Sequence, residues 1–160
     1  MLKERKTMKK FVIVCLTICV MFTMVGCSAH SSMSLTFNVE TRDCIKVKLD
    51  TTGCWKLTSE DGIFFINDAS KETILMGMFI DKEYYDMYTA NLAVASGVTM
   101  VEEDESNGFD YTLWEITGSD VVELDYVGWL ANSNSGVIFA SMESREVAKE
   151  AFERVTLTIQ

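Results

Sequence analysis

Residues 74–80 constrain the fold most strongly, because this segment is apolar at every position except Gly77. A strand with one face in water alternates apolar and polar residues, and this segment does not. It therefore predicts an internal strand of a sheet that is covered on both faces. The remainder of the chain must supply the layers that cover it.

Other strands are predicted by shorter patterns. Ile45, Val47 and Leu49 alternate with lysines, which is the period of a half-buried strand. Asp61-Gly62 separates two apolar runs and predicts a hairpin. Four later runs are bounded by polar or glycine turns and predict consecutive antiparallel strands at 98–101, 111–117, 121–130 and 136–142.

Two helices are predicted, each with one apolar stripe. Asp81 is a suitable N-cap for a helix over 82–95, and Gly97 is a suitable stop. Ser144 caps a second helix, whose stripe consists of Ala148, Ala151, Phe152, Val155 and Ile159. Since each stripe needs a sheet to cover, the element order predicts an α+β fold in which helices pack on an antiparallel sheet.

The N-terminal segment has the parts of a secretory signal. Five basic residues precede an apolar stretch over 11–25. As a helix this stretch would reach only about 22 Å, whereas the hydrocarbon core of a bilayer is about 30 Å thick. A cleaved signal is therefore favoured over a permanent membrane span.

Met24-Val25-Gly26-Cys27 resembles the lipobox of bacterial lipoproteins. The resemblance implies cleavage before Cys27 and a diacylglycerol thioether on its thiol, which would anchor the chain to the bilayer. The alternative is an ordinary secretory cleavage site with an incidental cysteine. We expect a signal peptide over 1–26, a lipidated tether over 27–35 and one domain over 36–160, at the outer face of the cytoplasmic membrane or another extracytoplasmic membrane surface.

Charge changes sign at this motif. Residues 1–27 carry five basic side chains and one acid, a net charge of +4, so the chain's net charge of −10 leaves −14 for residues 28–160. Nucleic acids and anionic headgroups bind clustered Lys and Arg, so neither is an expected partner. The acidity is compatible with solubility, with cations or with a basic partner.

Three segments resemble the PsbP-like domains. They are Ile45-Lys46-Val47-Lys48-Leu49 followed by Trp55, Gly136-Val137-Ile138-Phe139-Ala140-Ser141 running into Ser144-Arg145-Glu146, and Phe152-Glu153-Arg154-Val155. Thr51-Thr52-Gly53-Cys54 stands where the family pattern has a proline. The resemblance implies an α-β-α sandwich that acts through binding more than catalysis, and it assigns no functional residue.

Cys44 and Cys54 are the cysteines that follow Cys27. In an exported domain they could form a disulfide. A turn at residues 50–53 would pair Leu49 with Cys54 and leave Cys44 several residues away, which favours two free thiols.

His30 is the only histidine of the chain. It lies in the predicted tether, so a fixed Ser-His-Asp, Cys-His or zinc site is not expected in the domain. We predict no catalytic residue. The acidic residues Glu102, Glu103, Asp104, Glu105 and Asp110 offer oxygen ligands for calcium, or else form a solvated hairpin loop.

Tyr84 and Trp129 are the candidates for an interaction surface, because aromatic side chains supply large contact area at low entropic cost. Together these patterns favour a membrane-anchored lipoprotein that binds an envelope protein without catalysis. A lipoprotein that binds a small ligand or calcium is the alternative, and a carboxylate-based envelope hydrolase is a third reading.

Overall fold

The computed structural model describes residues 31–106, 108–118 and 121–160. The predicted signal, Cys27 and His30 lie outside them. The described residues form ten strands and two helices: β1 (Ser32–Asn38), β2 (Cys44–Asp50), β3 (Lys56–Glu60), β4 (Ile63–Asn67), β5 (Thr73–Ile80), α1 (Lys82–Val94), β6 (Val98–Ser106), β7 (Phe109–Ile116), β8 (Glu123–Trp129), β9 (Gly136–Ser141), α2 (Arg145–Glu153) and β10 (Val155–Ile159).

The strands form two antiparallel sheets. The larger has seven strands in the order β3-β4-β5-β9-β8-β7-β6, and the smaller has three in the order β1-β2-β10. The predicted α+β class with helices packed on an antiparallel sheet is confirmed. The second sheet was not predicted.

The main core lies between the inner face of the large sheet, the small sheet and α2. Ile45, Val47 and Leu49 of β2 are fully buried there, as their alternation predicts. Phe152 of α2 stacks on Tyr126 of β8 with ring centroids 4.2 Å apart. Helix α2 is therefore fixed to the large sheet by aromatic packing.

Helix α1 packs on the outer face of the large sheet. Its Leu92 joins Val127 and Ile138 in a second, smaller core. The prediction for residues 74–80 is confirmed in part, because β5 is an internal strand, third of seven. Coverage on both faces was wrong: Met76 and Met78 of β5 are 39% and 38% exposed, because α1 leaves the outer face of β5 partly open to solvent.

Local signals in the sequence locate several turns and helix ends. Asp61 and Gly62 both have positive φ, at 50° and 82°, and join β3 to β4 as predicted. Asp81 Oδ1 accepts a hydrogen bond of 2.8 Å from the Tyr84 amide and caps α1. Ser144 caps α2 by accepting from the Val147 amide.

The main differences from prediction concern two element boundaries and one turn. The second helix ends at Glu153, and Val155–Ile159 is a strand that pairs with β2. Strand β1 begins at Ser32, inside the segment predicted as tether. The turn at 50–53 does not form a hairpin, because Leu49 pairs with Met33 and Val155, and β2 and β3 belong to different sheets.

Both helices of the described residues are short. Neither α1, with 13 residues, nor α2, with 9, is long and apolar enough to cross a bilayer.

Candidate binding groove

The end of the β6–β7 hairpin carries the acidic residues to the outer face of the large sheet. Glu105 pairs with Asp110, and Asp110 pairs in turn with Trp129 of β8. Residues directly opposite each other in antiparallel strands share a face, and alternate residues of one strand share a face as well. Glu103 therefore lies beside Glu105 on the face that carries Trp129.

A groove of about 760 Å³ lies between this hairpin and α1. We call it the acidic groove, and its lining includes Tyr85, Glu103, Asp104, Glu105, Asp110, Thr112, Val127 and Trp129. Its volume falls within the usual range of small-molecule pockets, about 300–1,000 Å³. The groove thus unites most of the predicted cation-binding residues with one of the two predicted recognition aromatics.

Aromatic side chains form one wall of the acidic groove. The rings of Tyr85 and Trp129 meet edge to face with centroids 5.3 Å apart. The ammonium nitrogen of Lys82 lies 5.8 Å from the centroid of the Trp129 ring. A cation at that distance is attracted by the ring's quadrupole, so this wall already contacts a positive charge.

The acids of the acidic groove differ from their neighbour Glu102. Within the described residues Glu103, Glu105 and Asp110 make no salt bridge. Glu102 accepts a hydrogen bond of 2.6 Å from the Tyr111 hydroxyl and lies 3.9 Å from Lys149 Nζ. Glu102 is not part of the groove lining. The predicted five-residue acidic cluster is therefore divided.

The predicted calcium site finds no support in this geometry. No group of three or more His, Cys, Asp or Glu side chains in the described part of the chain is arranged to hold a metal ion. Glu102, Glu103, Asp104 and Glu105 belong to strand β6, so the alternative reading of them as a loop was wrong. Strand alternation separates neighbouring carboxylates instead of converging them on one point.

The two predicted recognition aromatics lie in different places. Trp129 is half-buried and lines the acidic groove. Tyr84 is 40% exposed and stacks on Tyr88 with centroids 5.9 Å apart. Tyr84 borders a separate cavity of about 230 Å³ beside Met78. Only Trp129 therefore belongs to the groove.

A buried carboxylate that was not predicted lies under α1. Asp125 of β8 is fully buried and accepts a hydrogen bond from the Tyr88 hydroxyl. Burial raises the pKa of Asp125 to about 6; the hydrogen bond from Tyr88 acts in the opposite direction, and the nearby Glu123 adds repulsion. Burial and the same hydrogen bond also raise the pKa of Tyr88.

Asp125 is also incompletely satisfied. Its Oδ1 is buried and has no hydrogen-bond partner among the described residues, and the same is true of Trp114 Nε1 on the neighbouring strand. Leaving a buried polar atom unpaired costs about 1–3 kcal/mol. The only sequence signal was an acid at a strand-interior position on the same face as Val127 and Trp129. That pattern does not show that a helix covers it.

The structure also bears on Cys44 and Cys54, which were expected to be two free thiols. The expectation was wrong for Cys54, which is disulfide-bonded. Cys44 is a free thiol, so it forms no bridge with Cys54. Cys44 begins β2 and Cys54 lies beyond its other end at Asp50. Seven strand residues extend about 20 Å, whereas the Cα atoms of a disulfide lie less than about 7 Å apart. The Cys44 thiol instead lies 3.9 Å from Gln160 Oε1.

No protein-family model, curated protein or solved structure matches the chain.

Proposed function

We propose that the chain is a lipoprotein anchored through Cys27 to the outer face of a membrane, and that it binds a basic segment of an envelope protein in the acidic groove. One observation carries the binding proposal. The carboxylates of Glu103, Glu105 and Asp110, which make no salt bridge within the described residues, lie beside an aromatic wall that contacts the ammonium group of Lys82. The lipobox-like motif Met24-Val25-Gly26-Cys27 supports the anchored location. We also propose that the fold is a variant of the PsbP-like sandwich.

Two properties of the acidic groove favour a basic protein segment. Its carboxylates Glu103, Glu105 and Asp110 can each pair with a Lys or Arg of a partner, and Trp129 can stack on a guanidinium. The groove is open along the sheet and is lined by strand residues, which suits an extended segment. Charge complementarity of this kind steers association and determines which partners are accepted.

Site-specific crosslinking tests this proposal. A photoreactive amino acid at Thr112, which lines the acidic groove, should crosslink an envelope protein in intact membranes through a Lys- or Arg-rich segment. The same group at Thr58 on β3, six strands away in the sheet order from β6, should not capture that protein. Crosslinking from both positions alike would contradict a groove-specific interaction.

Matched charge variants add a quantitative test. Changing Glu103, Glu105 and Asp110 to their amides should weaken binding of the crosslinked segment about tenfold at low salt, and less at high salt. The control removes the same charge from exposed acids elsewhere, Glu60, Glu72 and Glu143. Equal weakening by both triple variants would show only a dependence on net charge and would refute the site.

A small cationic ligand is the second candidate, and the groove volume of about 760 Å³ favours it. Thermal-shift screening with small organic amines separates the two. A ligand that stabilises the native chain but not the groove triple variant, together with no crosslinked protein, would reverse the order of the candidates.

A further inference from the structure

Helix α1 is held on the sheet by few buried contacts. Of its 13 residues only Leu92 is buried. Tyr85 and Tyr88 are half-buried on the same side of the helix, three residues apart. The Tyr88 hydroxyl donates to Asp125, and this bond is the polar tie between the middle of the helix and the sheet.

The surroundings of Asp125 contain little that stabilises a negative charge. Its register partners are Trp114 on β7 and Ala140 on β9, and neither is charged. Glu123 on the same strand adds repulsion, and from α1 Tyr88 donates its hydroxyl with Tyr84 stacked on it. No basic side chain of the described residues contributes to the titration of Asp125.

The same helix forms a wall of the acidic groove. Tyr85 lies about one turn before Tyr88 and packs on Trp129 with ring centroids 5.3 Å apart. A movement of α1 away from Asp125 would therefore move Tyr85 relative to Trp129. The hydrogen bond from Tyr88 to Asp125 and the contact between Tyr85 and Trp129 are therefore coupled, because both depend on the position of the same helical turn.

We propose that protonation of Asp125 controls how firmly α1 is docked, so that a proton closes the acidic groove and loss of the proton loosens its aromatic wall. The consequence for ligand binding rests on the proposed function, whereas the movement of α1 does not. The neutral carboxyl suits the buried position, whereas the carboxylate has one donor and an unpaired Oδ1.

The direction follows from the two protonation equilibria. The pKa of Asp125 is about 6 while α1 is docked and returns towards 3.8 when water reaches the carboxyl. Opening therefore releases a proton between about pH 4 and pH 6, where Asp125 is protonated while docked and ionised once exposed. Docking is strongest below that pH, weakens as the pH rises towards 6, and changes little further above 6.

Amide hydrogen exchange of the full chain in detergent micelles tests this inference without any ligand. Between pH 5 and pH 7.5, protection factors of α1 amides, corrected for intrinsic exchange, should fall by up to about tenfold. Amides of β8 and β9 serve as internal references and should change less. Protection of α1 that is independent of pH, or that rises with pH, would overturn the inference whether or not a partner binds the groove.

Three variants should alter this pH dependence of α1 protection in different ways. Asp125→Asn should abolish it, Tyr88→Phe should raise the midpoint pH because it removes the bond that favours the carboxylate, and Glu123→Gln should lower it. Glu60→Gln, an exposed acid on β3, is the matched control and should leave it unchanged. An unshifted midpoint in both Tyr88→Phe and Glu123→Gln would refute the role of Asp125 even if Asp125→Asn does not fold.

Discussion

Gly77 lies where the ring of Phe64 crosses strand β5, and no side chain fits there. A Cβ built on Gly77 would lie 2.0 Å from Phe64 Cζ. Phe64 itself is fully buried and is surrounded by the rings of Phe37, Phe79 and Phe139 at centroid distances of 5.4–5.6 Å. The ring cannot move aside without disturbing the whole aromatic cluster.

Gly77→Ala should therefore lower the free energy of unfolding by about 1–3 kcal/mol, the usual cost of overpacking a core. Denaturant unfolding followed by circular dichroism measures it. Gly118→Ala is the control, because a Cβ there has no neighbour within 4 Å, and it should change stability by less than about 0.5 kcal/mol. Equal stabilities of the two variants would show that Phe64 repacks freely.

Asp125 should make the stability of the whole chain depend on pH. Its pKa of about 6 exceeds the value of about 3.9 expected in the unfolded chain, so the unfolded state binds fewer protons between these values. The destabilising effect of ionised Asp125 on the folded chain is small below about pH 4, grows up to about pH 6 and is complete above it. Asp125→Asn should raise the free energy of unfolding at pH 7.5 by up to about 3 kcal/mol.

The matching measurement is the same comparison at pH 4. There the native Asp125 is neutral, and the advantage of the asparagine variant should disappear. An advantage that is equally large at both pH values would mean that the gain comes from packing or hydrogen bonding and not from the removed charge. Glu60→Gln should show no advantage at either pH.

The residues of the acidic groove show how far sequence reasoning reaches at this scale. Trp129 and the acids were each identifiable from composition and pattern. Their meeting depends on the register of β6, β7 and β8, and β6 contains an irregularity between Met100 and Glu102 that shifts this register. Asp125 was missed because its burial depends on which strands α1 covers, a long-range property that local periodicity does not contain.

At the scale of elements, the N-cap Asp81 should contribute more to the stability of α1 than its exposed position suggests. The helix has one buried residue, Leu92, which lies near its C-terminal end, so its first turn depends on the bond from the Tyr84 amide to Asp81 Oδ1. Asp81→Ala should lower the free energy of unfolding by about 1 kcal/mol. We expect this loss of stability to be measurable as faster amide hydrogen exchange in the first turns of α1.

The conservative variant supplies the control for this cap. Asparagine also accepts a hydrogen bond from the N3 amide, so Asp81→Asn should retain most of the protection. If both variants exchange as slowly as the native chain, packing of Tyr85 and Leu92 alone holds α1 in place. That result would also weaken the view that α1 is a lightly docked element.

Strand β10 illustrates why some elements were misread. Val155, Leu157 and Ile159 alternate as in a strand, but Val155 and Ile159 also continue the helical spacing of Ala148 and Phe152. The ambiguity is resolved by β2, which pairs with β1 on one side and would otherwise present a bare edge on the other. A neighbour distant in sequence therefore decides between helix and strand.

The whole molecule combines an acidic domain with a motif that resembles a lipobox. If cleavage follows Gly26, the retained part carries a charge close to −14, which anionic headgroups repel. Electrostatic adhesion to the bilayer is then unfavourable, and membrane retention must come from acyl chains on Cys27. Two or more chains are needed for stable anchoring, and a diacylglycerol thioether supplies two.

Cys27→Ala should therefore abolish fatty-acid labelling and move the protein out of the membrane fraction or leave it unprocessed. The matched control is Cys19→Ala, which removes a thiol from the apolar signal segment but leaves Met24-Val25-Gly26-Cys27 intact. Metabolic labelling with palmitate and fractionation of cells measure both effects. Labelling that persists in the Cys27 variant, or that is lost equally in both variants, would assign the lipid to another site and remove the basis for placing the acidic groove close to a membrane.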